Sequence, residues 1–408
     1  MTKLLAINNY YYRRGGAEVV FFEQNRLLGN TGWQVIPFAM QHEKNLDTPW
    51  SRYFVSEIEY GVHYSAAQKL VKATKAVYSL EARRKLRKLL QRTKPQIAHC
   101  HNIYHHISPS ILPVLKEFNL PTVLTLHDLK ITCPAYNMLL RGSICERCKG
   151  GSTHHVLLNR CIKDSFLLSG AVFLESVLHG FLGSYEKNID RFVVPSKFYL
   201  EKLAEWGWDS RRFVHIPNFV DVKKHFPVFS PGRHFVYFGR LSREKGVNTL
   251  IRAAAHARVE LFIVGVGPQE RELRSLAQQL GAKVTFSGFL SGEALHEAIR
   301  SSRATVLPSE WYENGPISVL ESYALGKPVI GASIGGITEM IKQEETGLTF
   351  KSGSVEDLTE RLLSMARLPD REVVQMGQCA RGFAEAEFSA ERYLERILAL
   401  YATMKDQG

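Results

Sequence analysis

The sequence predicts an α/β protein built from two doubly wound, Rossmann-like domains that face each other across a cleft. Three observations predict it. At 408 residues the chain is too long for one ordinary core and suits two. Short β-branched runs alternate with helical patterns, which signals parallel sheets covered by helices on both faces. Between two such series lies "IPNFVDVKKHFPVFSPGRH" (216–234), with three prolines and little periodicity, which reads as a linker.

Taken in order, "KLLAINN", "QVIPFAM", "QIAHCHN", "TVLTLHD" and "RFVVPS" are the strand candidates of a first domain over 1–215. After the linker, 216–233, "HFVYFGR", "VELFIVGVG", "KVTFSGF", "ATVLPSE" and "PVIGAS" play that part in a second domain over 234–387. The helical pattern that follows has no strand after it, so 388–408 is expected as a C-terminal helix crossing back to the first domain.

The hydrophobic fraction of 45% and aromatic fraction of 11% exclude a disordered or fibrous chain. The N-terminus lacks the apolar run of a signal peptide and reads as a first strand, so cytoplasmic residence is expected. No run of 18 apolar residues suggests a membrane span. The nearest candidate, "SFLLSGAVFLESVLHGFLG" (165–183), carries Glu175 and His179 inside it and reads as a buried or groove-lining helix, with one lying on a bilayer as the alternative.

The formal charge of +12 is concentrated in 64–94, where ten Lys and Arg face one Glu at helical spacing. A solvated face is the bland reading. Attraction to anionic lipid headgroups, worth roughly 1 kcal/mol per basic residue near such a surface, is the sharper one. It would make the protein peripheral at the cytoplasmic membrane face. Nucleic acid is the weaker choice, because the segment offers few aromatics for base stacking.

Ligands of doubly wound sheets sit beyond the carboxyl ends of the strands, and those ends are loaded. "FVYFGRLSREKG" puts Arg240 and Lys245 beside Gly239 and Gly246, a pair of cations suited to a diphosphate. Gly15 and Gly16 stand just ahead of a helix whose amides can face an anion from the other side of the cleft. "SEWYENGPISVLESYALGKP" (309–328) holds Glu313 in a loop and Glu321 inside the helix that follows. Asn314 or Gly315 can cap that helix, Pro316 suits its first position, and Gly326 closes it. Free amides near Ile317 and Ser318 make a second anion site, and Glu321 lies five residues past Pro316, about 7.5 Å along the axis. Cations and amides on a diphosphate, with carboxylates for hydroxyl groups on each side, are what a nucleotide sugar needs.

These motifs resemble those of the retaining glycosyltransferases of family four, which have the GT-B fold. The resemblance covers nearly the whole chain. Its most specific element is E-x7-E, "ENGPISVLE", followed by "ALGKPVIGASIGGITEMI" and supported by "FGRLSREKG", "GFL", "IPNFVD" and "GGAE". It implies that Glu313 contacts the transferred sugar, Glu321 the ribose, and Arg240 and Lys245 the diphosphate of a UDP- or GDP-linked donor. It implies that His127 lies near the reacting sugar, and that retention is achieved by positioning and by charge stabilisation of the departing diphosphate. Ser322 stands where the family usually has alanine. No D-x-D signature stands in the cleft motifs, so no catalytic divalent metal is expected. Donor specificity would depend on the pocket around Phe289 and Glu313. The acceptor is expected to be a lipid-linked or growing cell-surface saccharide, with His101 and Asn102 lining its side of the cleft. A glycoside hydrolase fits less well, because it sets two carboxyls astride the scissile bond. A GT-B nucleotide-sugar epimerase and a basic nucleic-acid-binding protein are the remaining alternatives.

His99, His101, His105 and His106 invite a metal reading, but they fall where a strand turns into a loop, so acceptor-side or structural roles are expected. Cys133, Cys145, Cys148 and Cys161 cluster in one segment around a C-x2-C. In a cytoplasmic chain that points to a structural zinc stapling an insertion, with free cysteines and a redox or iron–sulfur role as alternatives.

Overall fold

The computed structural model describes residues 1–57 and 74–405. The first domain contributes β1 (Lys3–Ile7), β2 (Gln34–Phe38), β3 (Ile97–Cys100) and β4 (Thr122–Thr125), a small hairpin of β5 (Leu139–Leu140) and β6 (Ser143–Ile144), then β7 (Arg191–Val194) and β8 (Phe213–His215). The second contributes β9 (Phe235–Phe238), β10 (Leu261–Val264), β11 (Val284–Gly288), β12 (Ala304–Leu307), β13 (Val329–Ala332) and β14 (Gly347–Phe350). Two six-stranded sheets result, ordered β2-β1-β3-β4-β7-β8 and β11-β10-β9-β12-β13-β14. Every pairing within them is parallel. Strands such as "IAHC", "TVLT" and "FVYF" are buried at every residue because helices cover both faces.

Each strand order reverses once, beside β1 in the first sheet and beside β9 in the second. The crevice at such a reversal is where ligands of these sheets sit. Asn8 follows β1, His101 follows β3, Gly239 and Arg240 follow β9, and Pro308 follows β12. The topology therefore aims most of the sequence-predicted groups at one cleft.

The helix Ala390–Lys405 returns to the first sheet. Tyr393, Ile397, Leu400, Tyr401 and Met404 join Leu4, Ala6, Phe21, Ile97 and Val123 in one core. Tyr393 stacks on Phe219 at 4.1 Å, and Tyr401 Oη lies 2.6 Å from His99 Nδ1. The second domain is thus fastened to the first at both ends of its sequence.

Residues 64–73 of the basic segment lie outside the described residues. Its remainder is not one continuous helix. Ser79 interrupts it and caps the helix Leu80–Thr93, its Oγ accepting the Ala82 N–H at 3.1 Å. Leu86, Leu89 and Leu90 pack inward, while Arg84, Lys88 and Arg92 are exposed.

The expectation of a buried or groove-lining helix at 165–183 is overturned. The helix Phe166–Leu182 buries Ser169, Val172, Glu175 and His179 and exposes most of its large apolar side chains. Among the described residues no helix is long and apolar enough to cross a membrane.

Candidate functional site

At the reversal of the second sheet, β9 and β12 deliver two loops that lock together. Gly246 adopts φ +65°, and a side chain there would run into the Pro308 carbonyl. This close approach carries Lys245 to Glu313, Nζ to Oε1 at 2.7 Å, with the ammonium also 5.0 Å from the centre of the Trp311 ring. Ser309 Oγ donates to the same carboxylate oxygen at 2.6 Å. Burial alone would raise the Glu313 carboxyl; Lys245 and Ser309 hold it below its usual value. The result is a fixed, desolvated anion paired with a cation that keeps donors to spare. Arg240 follows Gly239 at the end of β9 and is exposed to the cleft.

The helix after Glu313 runs over Ile317–Ala324. Pro316 is its N-cap, with ψ 122°, and not its first helical residue as the sequence suggested. Proline's fixed φ of −66° suits either position, and ψ decides between them. Gly326 follows at φ +79°, closing the helix. Opposite lies the start of the helix Gly16–Asn30, capped by extended Gly15. A Cβ on Gly16 would lie 3.7 Å from Ile317 Cγ1, so the two helix starts meet across the cleft. Both present free amides and partial positive charge to the gap, including those near Ser318.

Glu321 is partly open to this cleft. Among the described residues no side chain bonds or pairs with it, and burial pushes its carboxyl up to about 7. Ser322 is accommodated on the buried side, its Oγ 2.7 Å from the Ser318 carbonyl and 2.8 Å from Thr305 Oγ1. Phe289, just past β11, is 72% exposed, and the structure does not bring it against Glu313.

Sequence reasoning missed how the loop before the helix is held. Asn314 does not cap the helix; its Nδ2 donates to the Leu126 carbonyl at 2.6 Å, and its Oδ1 accepts from Ser196 Oγ at 2.9 Å. Asn218 Nδ2 donates to the Gly315 carbonyl at 2.7 Å, and Tyr199 Oη to the Tyr312 carbonyl at 2.9 Å. Gly335, at φ +58°, sits against the Glu313 backbone, and Gly336 N–H donates to the Glu313 carbonyl at 2.7 Å. The loop Tyr312–Gly315 thus spans the cleft and is bonded on both sides. "PNF" at 217–219 was the available signal for Asn218.

On the first-domain side His127 Nε2 lies 2.8 Å from His101 Nδ1, with the rings stacked, and His101 stacks in turn on His99. Burial drives all three toward the neutral form, His99 to about 3 and His127 to about 4, with neighbouring histidines adding to the effect on His99 and His101. His99 is anchored behind them by Thr125 Oγ1 at 2.7 Å. Asn102 is fixed by its backbone, donating to Asn8 Oδ1 at 3.1 Å and accepting from Asn9 N–H at 2.7 Å. His105 turns away to Glu175, and His106 to Tyr10.

Cys133, Cys145, Cys148 and Cys161 line one small cavity together with His155. All four are free thiols. Burial pushes the Cys133 thiol up to about 11 and the Cys148 thiol up to about 12. Among the described residues no group of three or more His, Cys, Asp or Glu is arranged to hold a metal ion. The cluster is gathered, but its thiols do not form a ligand set as they stand.

Comparison with known proteins follows this division of the chain. The profile described as "Glycosyltransferase Family 4" matches residues 14–224, and that described as "Glycosyl transferases group 1" matches residues 222–400. The O-antigen chain mannosyltransferase C of Escherichia coli is 30% identical over 175 residues, 42% of this chain and 46% of that protein. The GDP-mannose-dependent alpha-mannosyltransferase of Corynebacterium glutamicum is 30% identical over 186 residues, 43% of each chain. The aligned stretch therefore spans less than half the length of either relative. Sucrose-phosphate synthase from Thermosynechococcus elongatus superimposes over 100% of both chains with a TM-score of 0.74 at 19% identity, a likeness of GT-B fold.

Proposed function

This chain belongs to glycosyltransferase family 4, and from that premise we propose that it transfers a hexosyl group from a nucleotide sugar with retention of anomeric configuration. The observation that carries the proposal is the Lys245–Glu313 pair at the strand-order reversal, with two helix starts meeting beside it. A diphosphate seated there would meet Arg240, Lys245 and the amides at Gly15, Gly16, Ile317 and Ser318. These groups stabilise the charge that grows on the leaving phosphate. Glu313 would then accept hydrogen bonds from the transferred sugar, and Glu321 from the ribose. His127, held neutral, would present one ring nitrogen to the reacting sugar without adding charge. Phe289 would offer a face to the nucleobase. The GDP-mannose dependence printed for one relative supports a nucleotide donor, and the O-antigen chain named for another supports a saccharide acceptor, lipid-linked in this proposal, reached past His101 and Asn102.

We also retain a structural zinc at Cys133, Cys145, Cys148 and Cys161. The shared cavity supports it, and because burial holds the Cys133 and Cys148 thiols protonated, an ion would have to displace those protons on binding. The insertion also crowds left-handed backbone at Tyr136, Met138, Arg141, Arg160 and Lys163, which persists only where something over-determines it. An ion would require the thiols to turn inward.

The test of the donor assignment is calorimetry with UDP and GDP, neither of which carries a sugar. Glu313→Ala should bind the preferred diphosphate almost as the parent does while its turnover falls steeply. Glu321→Ala should bind that diphosphate poorly while keeping more of its turnover at saturation. The reverse pattern would overturn the assignment of the two carboxylates.

A further inference from the structure

The helix Phe166–Leu182 is inside out. Its buried face carries Ser169, Glu175 and His179, with Val172 as the one apolar member. Each of the polar three is tied down: Ser169 Oγ accepts the Ile162 N–H at 3.1 Å, and Glu175 meets Lys130 Nζ at 3.0 Å and His105 Nδ1 at 3.3 Å. His179 bonds Ser184 Oγ and the Val77 carbonyl, both at 2.8 Å. Burial would raise the Glu175 carboxyl, but Lys130 and His105 hold it down at about 2, so the inner face is an ionised network.

The outer face is apolar. Leu167, Leu174 and Phe181 recur every seven residues, which aligns them in one stripe, and they are 82%, 59% and 86% exposed. Phe166, Val177 and Leu182 flank the stripe, and Leu158 extends it from the neighbouring helix. A soluble helix normally turns this face to the core. Here the polar network fixes the opposite orientation, so the stripe is held outward and cannot rotate away without breaking it. A contiguous exposed apolar patch of this kind marks an interaction surface.

We propose that this stripe docks the protein on an anionic lipid bilayer, with its apolar side chains entering the boundary between headgroups and acyl chains. Charge selects the occupant. Arg160 and Lys163 stand exposed before the helix beside Asp164, and Lys187 stands exposed after it beside Glu186, which leaves a small positive excess at the flanks. Val77, which His179 holds, leads into the helix Leu80–Thr93, with exposed Arg84, Lys88 and Arg92 and an exposed Leu80. An apolar stripe with basic residues near both ends, on a chain of net charge +12, suits the boundary of an anionic bilayer. A second copy of this chain would bring the same cations, and a net charge of +12, against them. The inner face of the same helix bonds Lys130, three residues past His127, so the docked helix belongs to the first-domain side of the cleft. The proposal stands apart from the donor chemistry and would survive its failure.

The experiment is co-sedimentation of the full chain with phosphatidylcholine vesicles, with and without phosphatidylglycerol, alongside sedimentation velocity without lipid. The variant replaces Leu167, Leu174 and Phe181 by serine, which leaves charge unchanged; melting curves matching the parent show that it folds. The parent should bind only the vesicles with phosphatidylglycerol, and the variant should bind them about a hundredfold more weakly, since three large side chains no longer leave water. Arg84→Gln with Lys88→Gln should weaken binding less and remove part of its salt dependence. A serine variant that binds vesicles as the parent does would overturn the proposal. So would a parent dimer that the serine variant dissolves, which would make the stripe an interface between copies.

Discussion

Glu321→Gln should make the ligand-free protein more stable, and only at neutral and higher pH. The side chain sits in the helix behind Pro316 with no charge or donor paired to it among the described residues, and burial lifts its carboxyl from 4.5 to about 7. Below pH 4.5 the group is protonated whether the chain is folded or not, and nothing is lost. Between 4.5 and 7 the unfolded chain ionises while the folded one holds its proton, so stability falls as pH rises. Above 7 the full penalty is present. At about 1.36 kcal/mol per pH unit the separation corresponds to about 3 kcal/mol. The part of the side chain open to water lowers that to about 1–3 kcal/mol. Glutamine keeps the shape and removes the charge.

Melting curves of parent and variant from pH 4.5 to 8.5 measure the difference directly. It should be near zero at the acid end, grow through pH 6 and level off above 7. At about 2–4 °C per kcal/mol for a domain of this size, the plateau is several degrees. The same substitution should weaken nucleoside diphosphate binding, because the amide replaces a carboxylate acceptor that ribose hydroxyls would use. In the parent that binding should release a proton near neutral pH, seen as a binding enthalpy that changes with the buffer. A melting difference that is flat across pH would refute the claim that Glu321 is held as an unpaired acid.

Asn314→Ala removes both side-chain bonds across the cleft and leaves the Leu126 carbonyl unsatisfied, so it should cost about 1–3 kcal/mol in melting curves. It should also lower turnover by loosening Glu313; unchanged melting and turnover would show that the clamp is idle. Protein purified without added metal should contain about one zinc per chain if the four thiols hold it. Absence of zinc, with all four thiols reacting freely in the folded state, would end that proposal.

The sheets were legible because buried parallel strands are short β-branched runs, and ten of the twelve were marked this way. β8 and β14 were not, since "FVH" is three residues long and "GLTF" opens on glycine. The carboxylates of 313 and 321 were legible because one helix start fixes their spacing. Asn314 was misread as a cap because its partners, Ser196 and Leu126, lie 118 and 188 residues away. Local pattern carries no information about such contacts.

The helix Phe166–Leu182 shows a different limit. A hydrophobic run says only that some apolar medium covers it, protein or lipid. The polar residues were the better guide, because Ser169, Glu175 and His179 can be buried only where partners wait, and a core that supplies those partners has claimed that face. Glu321 inverts the case, being a group that the core surrounds and leaves without a partner. Both positions break the local rule that polar groups are paired and apolar ones covered, and such exceptions are expected where function is paid for in stability. At Leu174 the missing partner is apolar; at Glu321 it is a hydrogen-bond donor. If the two readings hold, supplying lipid and nucleotide together should raise the melting temperature more than either alone, each ligand covering what the fold leaves open.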